Sequence, residues 1–235
     1  MMYNIERQSQ IIKILVERKS ISVNKLADML YVSAPTERRE LSELEKQGKV
    51  LRTHGGVVLR LSPESEIPLM YREDQNAIAK QIIANKASLY IQNGNVIFLD
   101  ASSTAAHIIP FLKKFSDIVV ITNSPKTSMK LGENNIKNYC TGGLLLMHSV
   151  AFVGSETERF ISSINADLLF FSSRGYTENG FITDSSVEEA TIKKAMIKNS
   201  DKSFYLCDNS KKNQKYMYNI CNTKDVTGII TEFDI

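Results

Sequence analysis

The run Ile97-Phe98-Leu99-Asp100-Ala101-Ser102-Ser103-Thr104 joins an apolar, strand-like stretch to a hydroxyl-rich loop and then to a helical pattern. Where a strand ends and a helix begins, free backbone amides and the helix dipole favour a dianion. A carboxylate and three hydroxyls at that place suit a phosphate group and the atoms attached to it. Three other segments are equally rich in small polar residues: Thr122-Asn123-Ser124, Thr141-Gly142-Gly143 and Asp208-Asn209-Ser210-Lys211. The glycines let backbone approach a ligand, and the Lys211 ammonium suits a phosphate or a sugar oxygen. Each segment also has a plainer reading, S-S-T as a helix cap, T-N-S as a turn and Gly-Gly as a tight bend. Carboxyl-end loops of neighbouring strands form the ligand crevice of open α/β sheets, so several such loops after strand-like runs point to one crevice.

A second chemistry lies near the N-terminus. Residues 21–48 have the plan of a helix-turn-helix: a short support helix, a tight turn at Tyr31-Val32, and a second helix whose first turns reach base edges in the major groove. Arg38 and Arg39 stand in those first turns. A guanidinium offers guanine O6 and N7 two parallel donors, whereas serine and threonine hydroxyls and helix N-terminal amides hold phosphates. The expected contacts with double-stranded DNA are therefore Arg38 and Arg39, positioned by Ser22, Lys25, Ser33 and Thr36. The alternative is a solvated helix face on which the arginines pair with Glu43 or Glu45.

These residues need elements to hold them. Apolar residues from Ile5 to Leu15 recur near a 3.6-residue period and predict a first amphipathic helix. Ser22 and Ser33 are N-caps for the next two helices, Pro35 is tolerated in the first turn of the third, and Gly48 ends it. Short β-rich stretches on either side of Thr53-His54-Gly55-Gly56 predict a hairpin, hence a wing. The polar, proline-containing run from Ser62 to Pro68 reads as a linker. After it come a connecting helix over 71–91, strands over 96–100, 118–122, 167–172, 203–208 and 227–231, and helices over 104–114, 126–131, 155–164 and 187–199. Strand-helix alternation of this kind implies a parallel sheet covered on both faces.

Composition sets outer limits. Of the 235 residues, 43% are hydrophobic and 23% charged, and no apolar run has the roughly 18–20 residues of a membrane span. The N-terminus lacks a basic segment leading into an apolar stretch, so a cytoplasmic protein is expected. Cys140, Cys207 and Cys221 are odd in number and widely spaced, which argues against structural zinc and a disulfide framework. The net charge of +3 is uneven: residues 1–62 hold eleven Lys/Arg against seven Asp/Glu, and the rest eighteen against nineteen. Excess positive charge at that end suits a polyanion.

The run Val32-Ser33-Ala34-Pro35-Thr36-Glu37-Arg38-Arg39-Glu40-Leu41, followed by Leu44-Glu45, Gly48 and Arg52-Thr53-His54-Gly55-Gly56, resembles the signature of the DeoR family of transcription regulators. Asp100 to Thr104, Thr122 to Ser124, Gly142-Gly143 and Asp208 to Lys211 resemble the family's sensing domain. The resemblance implies an α/β protein with a winged helix-turn-helix at 1–61, a linker at 62–70, and a Rossmann-like parallel-sheet domain at 71–235 related to sugar-phosphate isomerases. It implies a carbohydrate-gene repressor whose operator affinity is set by a phosphorylated sugar, acting as a homodimer or homotetramer without a cofactor. The wing residues His54, Gly55 and Gly56 would meet DNA. Ser102, Ser103 and Thr104 would hold the phosphate, and Asp100, Asn123, Gly142, Gly143 and Lys211 would line the sugar site.

Two departures stand out. Ser102 occupies a place where the family commonly has glycine. Glu37 replaces a branched apolar residue on the helix face shared with Leu41 and Leu44, and a carboxylate there must meet a base or tilt to water. The rival class is a sugar-phosphate isomerase or deaminase carrying a DNA-binding appendage. The deaminases have an Asp-Gly-His element where this chain has Asn179-Gly180-Phe181, which removes both base and imidazole. Asp184, Glu188 and Glu189 remain, and acids at a helix N-terminus offset its dipole. No catalytic residue is expected. A third class, a signalling module with a vestigial helix-turn-helix, is kept open by Glu37.

Overall fold

The computed structural model describes residues 4–18, 20–53, 56–59 and 69–233, and the chain divides into two compact units, 1–71 and 72–235. In the first unit the apolar stripe forms α1 (Asn4–Arg18), which buries Ile11, Ile12 and Leu15. Ser22 and Ser33 cap α2 (Val23–Met29) and α3 (Ala34–Lys46), their Oγ atoms accepting the N–H groups of Lys25 at 3.3 Å and Thr36 at 3.4 Å. Gly48, at φ +70°, stops α3, and the Lys49 N–H returns to the Leu44 carbonyl at 2.9 Å. The hairpin follows as β2 (Val50–Thr53) and β3 (Gly56–Leu59). A strand not foreseen from the sequence, β1 (Ser20–Ile21), completes a sheet in the order β1-β3-β2. Leu26, Leu30, Leu41, Leu44, Val50 and Val57 close one core with the α1 residues.

Glu37 does neither of the two things expected of it. It is fully buried, and neither carboxylate oxygen has a hydrogen-bond partner. Arg7, on α1, directs its guanidinium to Glu40 instead, with Nε 2.7 Å and Nη2 2.5 Å from Oε1. Burial first, then the charge of Glu40, raises the Glu37 carboxyl from 4.5 to about 7, with Arg7 pulling partly back. A protonated carboxyl is far cheaper to bury than a carboxylate, so below about pH 7 the core takes the side chain in its neutral form.

The connecting segment is two helices rather than one, α4 (Leu69–Asp74), which crosses the boundary between the units, and α5 (Ala77–Ser88) in the second. Asn76 breaks them at φ +52°, a conformation asparagine tolerates, while its Nδ2 donates to Asp208 Oδ1 at 3.2 Å. The sheet comprises β4 (Val96–Leu99), β5 (Val119–Thr122), β6 (Asn138–Cys140), β9 (Ala166–Phe171), β12 (Ser200–Leu206) and β14 (Gly228–Ile230). All its pairings are parallel, in the order β14-β12-β9-β4-β5-β6. Successive residues point to opposite faces, so Ile97 and Leu99 join one core while Phe98 joins the other. The first face is covered by α5, α6 (Ser103–Ala106), α7 (Ile109–Leu112) and α8 (Pro125–Glu133); the second by α9 (Ser155–Ser162) and α10 (Val187–Lys198).

The helix expected over 104–114 is split between α6 and α7, because Pro110 lacks the N–H that a continuous helix would need there. Seven short strands lay outside the sequence reading. Besides β1 and the sheet-edge strand β6, they are the hairpin β7 (Leu144–Leu146) and β8 (Ala151–Val153) and a small sheet of β10 (Gly175–Tyr176), β11 (Phe181–Asp184) and β13 (Tyr218–Asn222). Most have three to five residues, too few to display a periodicity.

Two consequences are measurable. The Glu37 carboxyl is protonated more readily in the folded chain than in the unfolded one, so its contribution to stability is present in full below about pH 4.5 and is lost as pH rises through about 7. Glu37→Leu is expected to stabilise the chain by roughly 1–3 kcal/mol at pH 8 and to flatten the pH dependence, as read by urea unfolding at pH 5 and pH 8. At Gly56 an added Cβ would lie 2.2 Å from the Ile21 carbonyl oxygen, where backbone has little room to yield. Gly56→Ala is expected to cost about 1–3 kcal/mol, seen as a lower thermal midpoint.

Candidate nucleic-acid interface and ligand crevice

Burial of Glu37, Glu40, Leu41 and Leu44 fixes which side of α3 faces the core and leaves Arg38 and Arg39 exposed. The acids that were to neutralise them are engaged elsewhere: Glu43 accepts from Gln8 Nε2 at 2.9 Å, and Glu45 accepts the Arg52 N–H at 3.2 Å. Ser33 and Thr36 are exposed at the start of the same helix, their hydroxyls 2.8 Å apart. Ser22, Lys25 and Gly56 come together around an open cleft that Arg18 and Ser20 also border. The close pass of Ile21 explains the glycine at 56 without reference to a ligand. His54 and Gly55 lie outside the described residues.

The ligand crevice follows from sheet register. Leu99 pairs with both Thr122 and Phe170, Thr122 with Cys140, and Phe171 with Tyr205, so the loops after β4, β5, β6, β9 and β12 all leave at one edge. The chain runs outward through β5 and β6 and then adds β9, β12 and β14 on the other side of β4. The loops on the two sides of that reversal diverge and open a crevice.

Asp100 organises its centre. It is buried; Oδ1 accepts from Ser102 N at 3.1 Å and Ser102 Oγ at 2.5 Å, and Oδ2 accepts from Ser172 N at 3.1 Å. Burial raises its pKa, opposed by the charge of Lys193 and by these hydrogen bonds. Lys211 enters from the loop after β12, with Nζ 2.5 Å from Ser172 Oγ and 3.5 Å from Thr104 Oγ1. Asp100, Ser102, Thr104 and Lys211 are thus connected through Ser172. The Ser103 carbonyl is taken by His107 Nδ1 at 2.7 Å, and Ser103 also borders a neighbouring cleft with Glu73, Gln81 and Lys130. Asn123, after the adjacent strand, is tied to β8, with Nδ2 donating to the Phe152 carbonyl at 3.0 Å. Gly142 accepts from Thr157 Oγ1 at 2.6 Å, and a Cβ on Gly143 would lie 2.2 Å from that hydroxyl oxygen, so α9 itself requires the glycine at 143.

Sequence reasoning missed a buried ammonium group on which Lys211 acts. Lys80, on α5, is buried and donates to the Arg72 carbonyl. Its burial, and next the charge of Lys211, lower it from 10.5 to about 8; burial likewise lowers Lys211, with Asp208 pulling it back up. Lys80 and Lys211 lie near each other with Asp208 acting on both, Glu73 on Lys80 and Asp100 on Lys211, and the buried ammonium groups are still pushed toward the neutral form, which suits an added anion. No local pattern marks Lys80, whose role depends on α5 docking against the loop after β12. The helix dipole counts for less than expected, since α6 has only four residues.

Asp184 and Glu189, expected only to offset a helix dipole, instead hold the buried Lys193 ammonium at 2.6 Å and 3.4 Å. Burial alone would lower Lys193, but the two carboxylates raise it; burial alone would raise Glu189, but Lys193 holds it well below the usual carboxylate range. Glu188 is exposed and accepts from Ser186 Oγ at 2.8 Å, a local contact at the start of α10. The turn at Asn179-Gly180 packs on β13, the Asn179 carbonyl accepting from Asn222 Nδ2 at 3.1 Å. Among the described residues, no cluster of three or more His, Cys, Asp or Glu is placed to hold a metal, and no helix is long and apolar enough to cross a membrane.

Comparison with known proteins agrees with this division. Residues 7–62 match the DeoR-like helix-turn-helix domain, and residues 75–233 match the DeoR C terminal sensor domain. The chain is 38% identical over 228 residues to the uncharacterized HTH-type transcriptional regulator YulB of Bacillus subtilis, covering 97% of this chain and 88% of that protein. It is 33% identical over 229 residues to the L-fucose operon activator of Escherichia coli, covering 96% and 94%. In fold it is similar to eIF2B delta from Chaetomium thermophilum, with a TM-score of 0.53 and 16% identity over 71% of this chain and 60% of that one. With one family domain on each unit and relatives aligned along almost its whole length, the chain belongs to the DeoR family of DNA-binding transcriptional regulators.

Proposed function

We propose that the protein binds double-stranded operator DNA through Arg38 and Arg39, with Ser22, Lys25, Ser33, Thr36 and the wing at His54 to Gly56 setting its position. It represses carbohydrate-metabolism genes in the cytoplasm, and a phosphorylated sugar in the crevice sets its operator affinity. The observation that carries the sensing half is the Lys80–Lys211 pair. Two ammonium groups crowded beside Asp208 and next to the hydroxyls of Thr104 and Ser172 are stabilised when a dianion arrives between them. Ser102 and Ser103 complete the phosphate end, and Asp100, Asn123, Gly142 and Gly143 the sugar side. The name of the L-fucose operon activator supports a carbohydrate effector.

The ligand is bound and released unchanged in this reading. The turn at 177–181 holds neither an acid at 179 nor an imidazole at 181, and Lys193 is committed to two carboxylates. One DNA-binding head makes few contacts, so a homodimer or homotetramer reads paired half-sites. Effector and operator affinities are coupled reciprocally: an effector that weakens DNA binding is itself bound more weakly when DNA is present.

In a gel-shift titration on the chain's own promoter region at fixed salt, Arg38→Ala and Arg39→Ala are each expected to cost about 1–3 kcal/mol in affinity. Unchanged affinity for both variants would remove the proposed DNA contacts. A thermal-shift screen of sugar phosphates is expected to find ligands that raise the unfolding midpoint, as any ligand preferring the native state does. Lys211→Ala should abolish that rise while leaving the midpoint of the free protein nearly unchanged. A full rise in the variant would place the phosphate elsewhere.

A further inference from the structure

An open cleft of about 570 Å³ lies in the first unit, where the hairpin strand β3 begins. Ile21, Gly56 and Val57 border it at the pairing of β1 with β3, which sets Ile21 opposite Val57 and Ser20 opposite Val58. An added Cβ at 56 would lie 2.2 Å from the Ile21 carbonyl oxygen, so the glycine lets these two strands close up and the cleft form beside them. The side chains around it that can bond a ligand are Arg18, at the end of α1, Ser20, on β1, and Ser22 and Lys25, at the start of α2. All four are exposed, and among the described residues no carboxylate lines the cleft.

These groups are not committed to one another or to the rest of the fold. Among the described residues, neither Arg18 nor Lys25 has an ion pair, and the Ser20 hydroxyl has no hydrogen bond. The Ser22 hydroxyl accepts the Lys25 N–H at 3.3 Å and keeps its own proton to donate. A cation in the last turn of a helix offsets its dipole, which accounts for Arg18 taken alone. It does not account for a second cation and two hydroxyls around the same opening. A guanidinium, an ammonium and two hydroxyls with no acid among them are complementary to an oxyanion, which accepts several charge-assisted hydrogen bonds at once.

The place of the cleft selects the anion. In a helix-turn-helix the support helix crosses the DNA backbone while the second helix enters the groove. Ser22 and Lys25 begin that support helix, and Gly56 begins the strand that returns from the wing. Pairing of β1 with β3 brings the end of α1 to the same place, so Arg18 joins the motif although it precedes the segment 21–48. We propose that the cleft clamps a phosphate of the DNA backbone, with Arg18 and Lys25 supplying the positive charge and the Ser20 and Ser22 hydroxyls further donors. This rests on the operator-binding reading above and adds Arg18 and Ser20 to it. The clamp grips every sequence alike and fixes the register of the head, which leaves discrimination between bases to Arg38 and Arg39.

The test is a fluorescence-anisotropy titration of the full chain on a duplex from its own promoter region and on a shuffled duplex of equal length, each at several salt concentrations. Arg18→Gln is expected to weaken both duplexes alike, by about three- to tenfold, and to reduce the slope of log affinity against log salt by about one, as the loss of one phosphate contact does. Arg18→Lys should keep the slope, since the clamp follows charge whereas a packing role would not. Ser20→Asp puts a carboxylate at an exposed position that bonds to nothing else; it should weaken both duplexes by about tenfold and decides the matter even where Arg18→Gln fails to fold. Unchanged affinity and slope in Arg18→Gln, wild-type affinity in Ser20→Asp, or a loss confined to the promoter duplex overturns the clamp. Inorganic phosphate, added at constant ionic strength, should leave the binding of shuffled DNA unchanged. Competition by phosphate that Arg18→Gln abolishes would assign the cleft to a free anion and overturn the clamp. Failure of the wild-type chain to bind either duplex overturns the operator reading, and the clamp with it.

Discussion

The parallel register of β4 with both of its neighbours is the constraint from which the ligand crevice follows. Because Leu99 is paired with Thr122 on one side and Phe170 on the other, Asp100, Asn123 and Ser172 must emerge at the same edge. Strand order reverses at β4, so the loops on its two sides separate and leave a crevice. Both faces of the sheet are closed by apolar side chains, with Phe98, Phe170, Phe171 and Tyr205 fully buried. The crevice therefore sits on a stiff support, and polar groups gathered there keep their positions without a ligand to organise them.

Electrostatics divides that edge into two regions. The charge of Lys211 disfavours that of the buried Lys80, against the pull of Asp208 and Glu73, and an arriving dianion would favour both ammonium groups. In a second, buried group Asp184 and Glu189 outnumber Lys193, and His148 also pairs with Glu189. Burying three ions costs several kcal/mol each before their mutual attraction is counted, so such a triad contributes more to orientation than to stability. Asp100 stands between the regions. Its two oxygens bind the loops after β4 and β9 together, and Lys193 and Lys211 both act on its surroundings.

In the first unit the same physics works on a smaller core. Arg7 and Glu40 lock α1 to α3, and the capped start of α3 holds Arg38 and Arg39 outward. Glu37 shares the buried face and has no base of its own, so its burial is eased by taking up a proton. It does not disturb the helix it belongs to, since its helical neighbours Leu41 and Leu44 are as fully buried as the rest of the core. The departure from the family pattern is thus a matter of stability and pH, set one helical face away from the exposed arginines.

Much of this was legible in the sequence, and for a definite reason. Helix caps at Ser22 and Ser33, the stop at Gly48, the hairpin and the alternation of strand and helix depend on interactions spanning a few residues, and the composition of those residues is sufficient to specify them. So too with the hydroxyl loops, whose place after strands follows from local pattern alone. Tertiary structure decided which residues share a space. Lys80 acts on Lys211 only because α5 docks beside the loop after β12; Asp184 on β11 joins the Glu189–Lys193 pair only because β11 meets α10; and Glu37 loses water only because α1 packs on α3. Burial and charge pairing between segments far apart in the chain belong to the folded molecule, and no spacing along the sequence encodes them.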